Sequence, residues 1–379
     1  YLCAFPGPGG TQEYTFMLAR KMAARCPTVL AMPFDAAQKQ QFEEAFRAVG
    51  GETMDLPPEI YELLGSRSYL RRITGGRRLR RLIEAHVPLR PGQRLVLHTS
   101  LNPLSFAALA AGADRSWITV NTFHDFGDLR RRSVSYLPNT IALRLLSRRR
   151  TAFIVPSAHI ADDLVTKVAA IPRDRVHVIH TGIDPLPARE AHVSVTPLKF
   201  GMIGRVAEAK APDVWIEAIR MFLAGGGVGE FHWYGQGPEL ADMRDRAARA
   251  GIGHAAIFHG YVDDVRQVLD GLDVFVLSSR WEGGCPPFSV VEAMFRGVPC
   301  LLPALPSINE ALGGHDCALR YEAENPASLA QGFAAASATP FDLARRALEA
   351  RNLVVKNHTA EAKFFATVEL YNEMLRSSG

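Results

Sequence analysis

Short apolar runs alternate along the whole chain with stretches in which apolar residues recur every three or four positions. The runs predict two series of six strands, first at 1–5, 28–32, 94–100, 117–124, 151–157 and 176–180, and then at 199–204, 231–235, 256–260, 273–279, 298–303 and 317–321. Apolar runs between helical patterns are typical of parallel sheets that are covered on both faces. Two such series therefore predict an α/β fold with two doubly wound parallel sheets.

The segment between the two series indicates the domain organisation. Residues 184–197, "DPLPAREAHVSVTP", are rich in proline and polar residues, which is typical of a linker. A chain of 379 residues is also long enough for two cores. We predict one domain over 1–190, completed by an amphipathic helix at 360–379, and a second domain over 191–359.

The composition is that of a soluble globular protein, with 47% hydrophobic and 22% charged residues. No apolar run reaches about 18 residues, so the sequence predicts no membrane-spanning helix. The five cysteines are odd in number and form no CxxC pair, which argues against a disulfide framework or a zinc site and favours a reducing, cytoplasmic location. Because residue 1 already lies in a predicted strand, we expect further residues ahead of it, and a targeting segment there stays open.

The formal net charge of +4 hides an asymmetry. Residues 1–190 carry 26 Lys and Arg against 17 Asp and Glu, whereas residues 191–379 carry 17 against 22. The basic excess is concentrated at 67–86, "RSYLRRITGGRRLRRLIEAH", with further triplets at 130–132 and 148–150. One interpretation is a solvated helix face, and another is attraction to an anionic acceptor or to the inner face of a membrane. We expect no nucleic-acid partner, because no aromatic interleaving accompanies the arginines.

Ligands of open parallel sheets bind beyond the carboxyl ends of the strands, next to the N-termini of the following helices. The strand at 199–204 ends with Gly204, which is followed by Arg205 and, five residues later, by Lys210. Two cations beside a helix N-terminus form a site for a diphosphate, since Arg supplies a fork of donors and Lys a point charge. The alternative is a salt-bridged pair on the surface.

Other strand ends carry candidates that are ordinary when taken singly. They are a glycine pair at Gly9 and Gly10, the histidine His124, a glycine-flanked turn at Gly235, and Tyr261 with Val262, whose backbone can bracket a flat base. Glycines let the backbone approach a ligand closely, although an ordinary strand-to-helix turn would also contain them. A histidine at a strand end can donate a hydrogen bond or transfer a proton.

The segment 280–294, "RWEGGCPPFSVVEAM", places an acid on each side of a turn and a helix start. Glu282 lies on the loop after a buried strand, and Pro287 suits the first turn of the following helix. The N–H groups and dipole of that helix N-terminus favour a phosphate, and Glu292 lies about one turn in. The segment predicts a ligand that is part sugar and part phosphate. The alternative is a capping acid and an exposed acid.

Together these stretches resemble the family-4 retaining glycosyltransferases, in which two Rossmann-like domains face each other across a cleft (the GT-B fold). The matching stretches are, in order, "FIVPSAHIADDLV", "RVHVIHTGID", "GMIGRVAEAKAPDVWIEAI", "YGQGPEL", "HGYVDDVRQVLDGLDVFVLSSRWEGG" and "FSVVEAMFRGVPCLLP". Their order and spacing make the resemblance specific, and it spans nearly the whole chain.

The resemblance implies transfer of a hexosyl group from a UDP- or GDP-sugar to a hydroxyl acceptor, with retention at the anomeric carbon and without a metal or other cofactor. It implies an acceptor side in the N-terminal domain and a donor side in the C-terminal domain. The arginine-rich segment suggests a lipid-linked or anionic acceptor at a membrane surface, as in cell-surface glycan or glycolipid synthesis.

Carried over residue by residue, the resemblance gives Arg205 and Lys210 the leaving diphosphate, Glu292 the ribose and Glu282 the donor sugar, with His124 as a further sugar contact. The catalytic candidates are thus His124, Arg205, Lys210 and Glu282. The donor-binding candidates are Gly9, Gly10, Gly204, Arg205, Lys210, Gly235, Tyr261, Val262, Glu282, Gly283, Gly284, Cys285, Phe288, Ser289 and Glu292.

The spacing of the two acids departs from the family pattern. Nine residues separate Glu282 from Glu292, where the family usually has seven, and counting back from Glu292 puts Gly284 at the usual acid position. Either the loop bulges and Glu282 still reaches the sugar, or that role is changed. Thr181 also replaces the usual Asn of its motif. Two other functions stay open: a nucleotide-sugar epimerase or phosphorylase on the same fold, and a non-catalytic module that binds sugar nucleotides.

Overall fold

The structure, a computed structural model, describes residues 2–3, 10–32, 36–66, 69–100, 116–123, 151–168, 171–189 and 197–376 of the 379-residue chain. It divides into two compact units, one formed by Tyr1–Ile179 with Lys363–Gly379 and the other by His180–Ala362. The division precedes the predicted boundary at 190 because the following residues are bonded within the second unit, where Ile183 forms a bridge with Thr359. The acceptor-side and donor-side roles of the two domains stay predictions.

Thirteen strands lie within the described residues. They are β1 Leu2–Cys3, β2 Val29–Met32, β3 Glu52–Asp55, β4 Val96–Ser100, β5 Ile118–Thr122, β6 Thr151–Val155, β7 Val176–Val178, β8 Leu198–Ile203, β9 Gly229–Tyr234, β10 Ala256–Gly260, β11 Val274–Val276, β12 Cys300–Pro303 and β13 Leu319–Tyr321. The first unit has a seven-stranded sheet of order β3-β2-β1-β4-β5-β6-β7, and the second a six-stranded sheet of order β10-β9-β8-β11-β12-β13. Every described pairing is parallel, which confirms the predicted α/β class with two doubly wound sheets.

All twelve predicted strands are present, and β3 is the strand that the pattern missed. Its sequence, "ETMD", has an acid at each end, and Met54 is its one buried side chain. β3 is the edge of the first sheet, with β2 as its neighbour. β3 therefore lacks the apolar run by which the other twelve strands were predicted.

Thirteen α-helices lie within the described residues. They are α1 Gly10–Ala23, α2 Ala36–Arg47, α3 Pro58–Gly65, α4 Tyr69–His86, α5 Ala158–Asp162, α6 Pro212–Ala224, α7 Leu240–Arg249, α8 Val265–Asp270, α9 Phe288–Arg296, α10 Pro306–Leu312, α11 Pro326–Ala338, α12 Pro340–Asn357 and α13 Ala360–Arg376. A π-helical segment at Asp163–Val168 and 3-10 turns at Arg173–Arg175 and Glu208–Lys210 complete them. No helix in this described part combines the length and hydrophobicity that a membrane span needs.

The arginine-rich segment forms helix α4. Leu79 and Ile83, one turn apart, are buried, whereas Arg77, Arg78 and Arg81 are exposed. The helix is therefore amphipathic, with its apolar stripe in the protein and a row of guanidinium groups in water.

An aromatic cluster fills one side of the second sheet. The ring of Phe333 on α11 lies 5.0 Å from that of Phe200 on β8 and 4.9 Å from that of Phe231 on β9. Trp215 and Phe222, on α6, pack edge-on against the same ring at 5.8 Å. The cluster therefore packs two helices, α6 and α11, against strands β8 and β9.

The strand order of the second sheet creates a reversal point. From β8 the chain moves outward to β9 and β10, and then crosses to β11 on the other side of β8. At such a point the loops after the two central strands diverge, and ligands of doubly wound sheets bind in the crevice between them. The loops after β8 and β11 are those that carry Arg205, Lys210 and Glu282.

We expect Phe333→Ala to lower the free energy of unfolding by about 3–5 kcal/mol, because it leaves a cavity in a close-packed cluster. Phe341→Ala makes the same chemical change at a ring that is 92% exposed. Its effect should stay within about 0.5 kcal/mol. Urea denaturation followed by tryptophan fluorescence measures both variants. Equal midpoints for the two would contradict the assignment of Phe333 to the core.

Candidate active site

The backbone that follows β8 is fixed on both sides of Arg205. Gly204 N donates a hydrogen bond to Tyr234 O at 2.9 Å, and Trp233 Nε1 donates to Gly204 O at 2.8 Å. On the other side, Val206 is fully buried. The Arg205 side chain between them is exposed and makes no hydrogen bond or ion pair with another described residue. Its guanidinium group is therefore available to an anion from a well-anchored stretch of backbone.

A 3-10 turn, Glu208–Lys210, carries the second cation. The turn leads into Ala211, whose φ of 50° lies in the left-handed region. For a residue other than glycine this conformation costs about 1–3 kcal/mol and persists only where the surroundings impose it. Helix α6 begins at the next residue, Pro212. The turn is thus held in one conformation at the start of a helix.

Lys210 forms an ion pair with Oε1 of Glu282, and Ser279 Oγ donates to the same oxygen at 2.5 Å. The Glu282 side chain is 7% exposed and that of Lys210 is 22% exposed. Lys210 follows β8 and Glu282 follows β11, so the pair joins the two loops at the reversal point of the sheet. The structure therefore brings together two residues that the sequence placed in separate motifs.

The turn after β9 packs directly on the backbone after β8. A Cβ at Gly235 would lie 2.0 Å from Gly204 O, so only glycine fits there. Gly235 N also donates to Gly260 O at 2.6 Å, at the end of β10. Tyr261 and Val262 follow, the first exposed and the second half-buried. The backbone after β9 therefore joins the ends of β8 and β10.

Residues 277–287, here called the acid loop, connect β11 to α9. A Cβ at Gly284 would lie 2.9 Å from the Cα of Pro287, so this position has no room for a side chain. Counting back from Glu292 would put the family's acid there. The carboxylate instead belongs to Glu282, beside Lys210. The geometry favours a loop that takes up its extra residues while Glu282 stays at the cation.

Cys285 anchors the acid loop inside the protein. Its N–H donates to Thr181 Oγ1 at 3.2 Å, and its carbonyl accepts from Thr181 N at 3.2 Å. Its buried thiol donates to Ser307 O at 3.1 Å, and His358 Nδ1 donates to Thr181 O at 2.9 Å. Cys285 thus holds the loop in place, and its predicted contact with the nucleotide-sugar donor stays a prediction.

Helix α9 begins at Phe288, directly after Pro287, and within the described residues no side chain caps its first turn. Phe288 and Ser289 are half-buried. The first N–H groups of a helix lack partners within the helix, and the dipole there favours an anion. Glu292 lies one turn further on, is half-buried and takes part in an interaction within the protein. Its ribose contact stays a prediction.

Four candidates remain, namely Gly9, Gly10, His124 and Gly283. Gly9 and His124 lie outside the described residues. Gly10 is the first residue of α1 in the first unit, and Gly283 is half-buried on the acid loop. The roles predicted for these four residues stay predictions.

Sequence reasoning missed Ser279 and Arg280. They are the third and fourth residues after β11, and this position close to a strand end was the signal available. Arg280 pairs with Asp213 on α6 at 2.5 Å. Partial burial raises the pKa of the Asp213 carboxyl, but the hydrogen bond and the charge of Arg280 outweigh burial, so this pKa is lowered. The pair is therefore charged at neutral pH.

One group of three side chains in the described part of the chain could hold a metal ion. The ligand atoms of His180, Cys285 and Glu310 lie within 4.8 Å of one another. His180 Nε2 is already bonded to Glu310 at 2.9 Å, and the thiol donates to Ser307 O. Protein contacts thus account for all three side chains, and the metal-free reaction stays a prediction.

Two family profiles match the chain. The profile of glycosyltransferase family 4 matches residues 8–185, and that of glycosyl transferases group 1 matches residues 197–338. The matches lie in the two halves of the chain and together cover most of it.

Two curated relatives match part of the chain. The 2-deoxystreptamine glucosyltransferase of Streptomyces kanamyceticus is 29% identical over 176 residues, 42% of this chain and 44% of that protein. The lipopolysaccharide core biosynthesis mannosyltransferase LpsB of Rhizobium meliloti is 27% identical over 246 residues, 61% of this chain and 65% of that protein. The chain thus spans less than two thirds of the length of either relative.

The fold is also found among solved structures. Alr3699/HepE of Anabaena, solved in complex with UDP-glucose, superposes with a TM-score of 0.77 and 15% identity over 98% of this chain and 99% of that chain. A similarity at 15% identity shows the fold alone, whereas the two profiles show the family. The chain belongs to the family-4 glycosyltransferases and has their GT-B fold.

Proposed function

We propose that the protein transfers a hexose from a UDP- or GDP-sugar to a hydroxyl acceptor with retention at the anomeric carbon and without a metal ion. The observation that carries the proposal is the meeting of Lys210 with Glu282 at the reversal point, beside the exposed Arg205. Cations and an acid at one set of strand ends suit a ligand that contains a diphosphate and sugar hydroxyls.

The comparisons support a hexose carried by a nucleotide. The names of the two curated relatives specify glucosyl and mannosyl transfer, and the Anabaena protein was solved with UDP-glucose. The name of the Rhizobium relative also specifies lipopolysaccharide core biosynthesis, which supports an acceptor in cell-surface glycan or glycolipid synthesis.

The proposed reaction breaks the bond between the anomeric carbon and the donor diphosphate. Negative charge develops on the leaving oxygen, and the guanidinium of Arg205, the ammonium of Lys210 and the first N–H groups of α9 would stabilise it. The acceptor oxygen then bonds to the same face of the sugar, and its proton passes to the departing phosphate oxygen. Glu282 would accept a hydrogen bond from a sugar hydroxyl while it remains beside Lys210.

The first test is turnover of a panel of nucleotide sugars, with product analysis. We expect saturable donor hydrolysis or transfer, and about a 100-fold loss of kcat in Arg205→Ala with unchanged Tm, because the variant removes a donor to the leaving group but no core contact. Arg220→Ala is the matched control, since Arg220 is an exposed arginine on α6 that is paired with Glu217.

Absence of both turnover and saturable nucleotide binding would contradict the proposal. Conversion of the nucleotide sugar without any acceptor or hydrolysis would identify an epimerase instead.

A second test separates the sugar contact from the phosphate contact. We expect Glu282→Gln to lower kcat/KM for the nucleotide sugar by about 10–100-fold, because a charge-assisted hydrogen bond to a hydroxyl is lost. Binding of the nucleoside diphosphate without sugar should be unchanged or tighter, because Lys210 loses its counter-ion. Steady-state kinetics give kcat/KM for the nucleotide sugar, and calorimetric titration gives the affinity for the nucleoside diphosphate. Equal losses for the two ligands would remove Glu282 from the sugar subsite.

We also propose that the exposed arginines of α4 bring the protein to an anionic membrane surface where a lipid-linked acceptor lies. The three guanidinium groups of Arg77, Arg78 and Arg81 face water on one amphipathic helix. Each cation near an anionic surface contributes about 1 kcal/mol, and salt screens the attraction.

The membrane proposal predicts co-sedimentation with vesicles that contain anionic lipid, and release by high salt. Replacing Arg77, Arg78 and Arg81 by Glu should lower partitioning by about 100-fold or more. Arg249→Glu, at an exposed arginine of α7 in the second unit, should have little effect. Vesicle binding that is independent of both lipid charge and salt concentration would exclude this role for α4.

A further inference from the structure

We propose that Arg280 is a positioning residue for Lys210: it fixes the turn Glu208–Lys210 and thereby the point at which the ammonium group meets the donor diphosphate. The inference rests on the proposed function, because it concerns the same cation. Arg280 would act through Lys210 and not by touching the donor.

The side chain of Arg280 is bonded in three directions. Nη1 donates to Glu208 O at 2.7 Å, Nη2 to Asp213 Oδ2 at 2.5 Å and Nε to Glu324 Oε2 at 3.2 Å. The side chain is 18% exposed. One planar group therefore links the first residue of the turn to the first turn of α6 and to Glu324.

The other two residues of the turn are bonded to the acid loop as well. Arg280 N donates to Ala209 O at 2.9 Å, and Ser278 Oγ donates to Lys210 O at 2.6 Å. All three carbonyl groups of Glu208–Lys210 thus accept hydrogen bonds from Ser278 or Arg280. A short 3-10 turn has few hydrogen bonds of its own. The position of Lys210 therefore depends on these donors from outside the turn.

Arg280 also lies two residues before the partner of Lys210. Glu282 is on the same loop, so one residue ties the turn that carries the ammonium to the loop that carries the carboxylate. An arginine suits this task because its fork donates in several fixed directions, whereas a lysine offers a single flexible ammonium group.

A merely stabilising ion pair is the alternative, and the chain offers a matched control for it. Arg346 on α12 is 16% exposed and pairs with two carboxylates, Asp316 and Asp342. Like Arg280, it also donates to a carbonyl, that of Ala318 at 3.2 Å. It forms no hydrogen bond or ion pair with the turn Glu208–Lys210 or the acid loop, all of which the structure describes.

The test compares Arg280→Ala, Arg280→Lys and Arg346→Ala in the full chain. Donor kinetics are measured well below the Tm of each variant. We expect Arg280→Ala to lower kcat/KM for the nucleotide sugar by about 10–100-fold, as misplaced catalytic groups do. Arg280→Lys should recover part of the loss. The kcat/KM of Arg346→Ala should stay within about twofold of the wild-type value, even if its Tm falls as much as that of Arg280→Ala.

Hydrogen exchange gives a readout that does not depend on activity. The amides of Lys210 and Ala211 donate to Ala207 O at 2.8 Å and to Glu208 O at 3.0 Å. A peptide over 205–215 should exchange faster in Arg280→Ala and unchanged in Arg346→Ala.

Three results would overturn the inference: unchanged kcat/KM in Arg280→Ala, an equal loss in Arg346→Ala, or unchanged exchange over 205–215. A wild-type chain that neither binds nor turns over any nucleotide sugar would overturn the proposed function and the donor part of the inference. The exchange experiment would then still decide whether Arg280 holds the turn.

Discussion

The ion pair between Lys210 and Glu282 joins two loops that are 72 residues apart in the sequence. Withdrawing charges from water costs several kcal/mol per ion, and mutual attraction offsets this cost only where the geometry and further hydrogen bonds are good. The pair is therefore weak evidence for stability. What it does supply is an ammonium group and a carboxylate at fixed positions beside the ends of β8 and β11. Gly204, at the end of β8, lies beside the Lys210 side chain.

The strand order explains which parts of this site could be predicted from the sequence. β11 and the middle of β8 are buried, as expected for inner parallel strands, and the ends of both strands could be searched for charged residues. The contact between Lys210 and Glu282 could not be predicted, since it requires β11 to lie next to β8. Three helices and two strands separate them along the chain. The bonds of Arg280 to the turn before α6 depend on the same neighbourhood.

Two departures from the family pattern are hydrogen-bonded to each other in the structure. Thr181 and the lengthened acid loop lie in separate motifs, and no sequence pattern connects them. Thr181 Oγ1 accepts the N–H of Cys285, 104 residues away, and the two residues exchange a second backbone bond. Because the acid loop is anchored at Cys285, it can accommodate its extra residues. Glu282 can then remain beside Lys210, although its spacing from Glu292 has changed.

The two cations of the site are in different electrostatic states. The charge of Lys210 is compensated by Glu282, whereas Arg205 is exposed and has no counter-ion among the described residues. Arg205, Lys210 and Glu282 together keep one uncompensated positive charge, which belongs to the exposed side chain of Arg205. In the proposed reaction, an approaching diphosphate would therefore be attracted first by Arg205. Lys210 is held by its ion pair with Glu282, so in the proposed reaction it would need little reorganisation when negative charge develops on the leaving oxygen. Such preorganisation is what makes a fixed cation effective in a transition state.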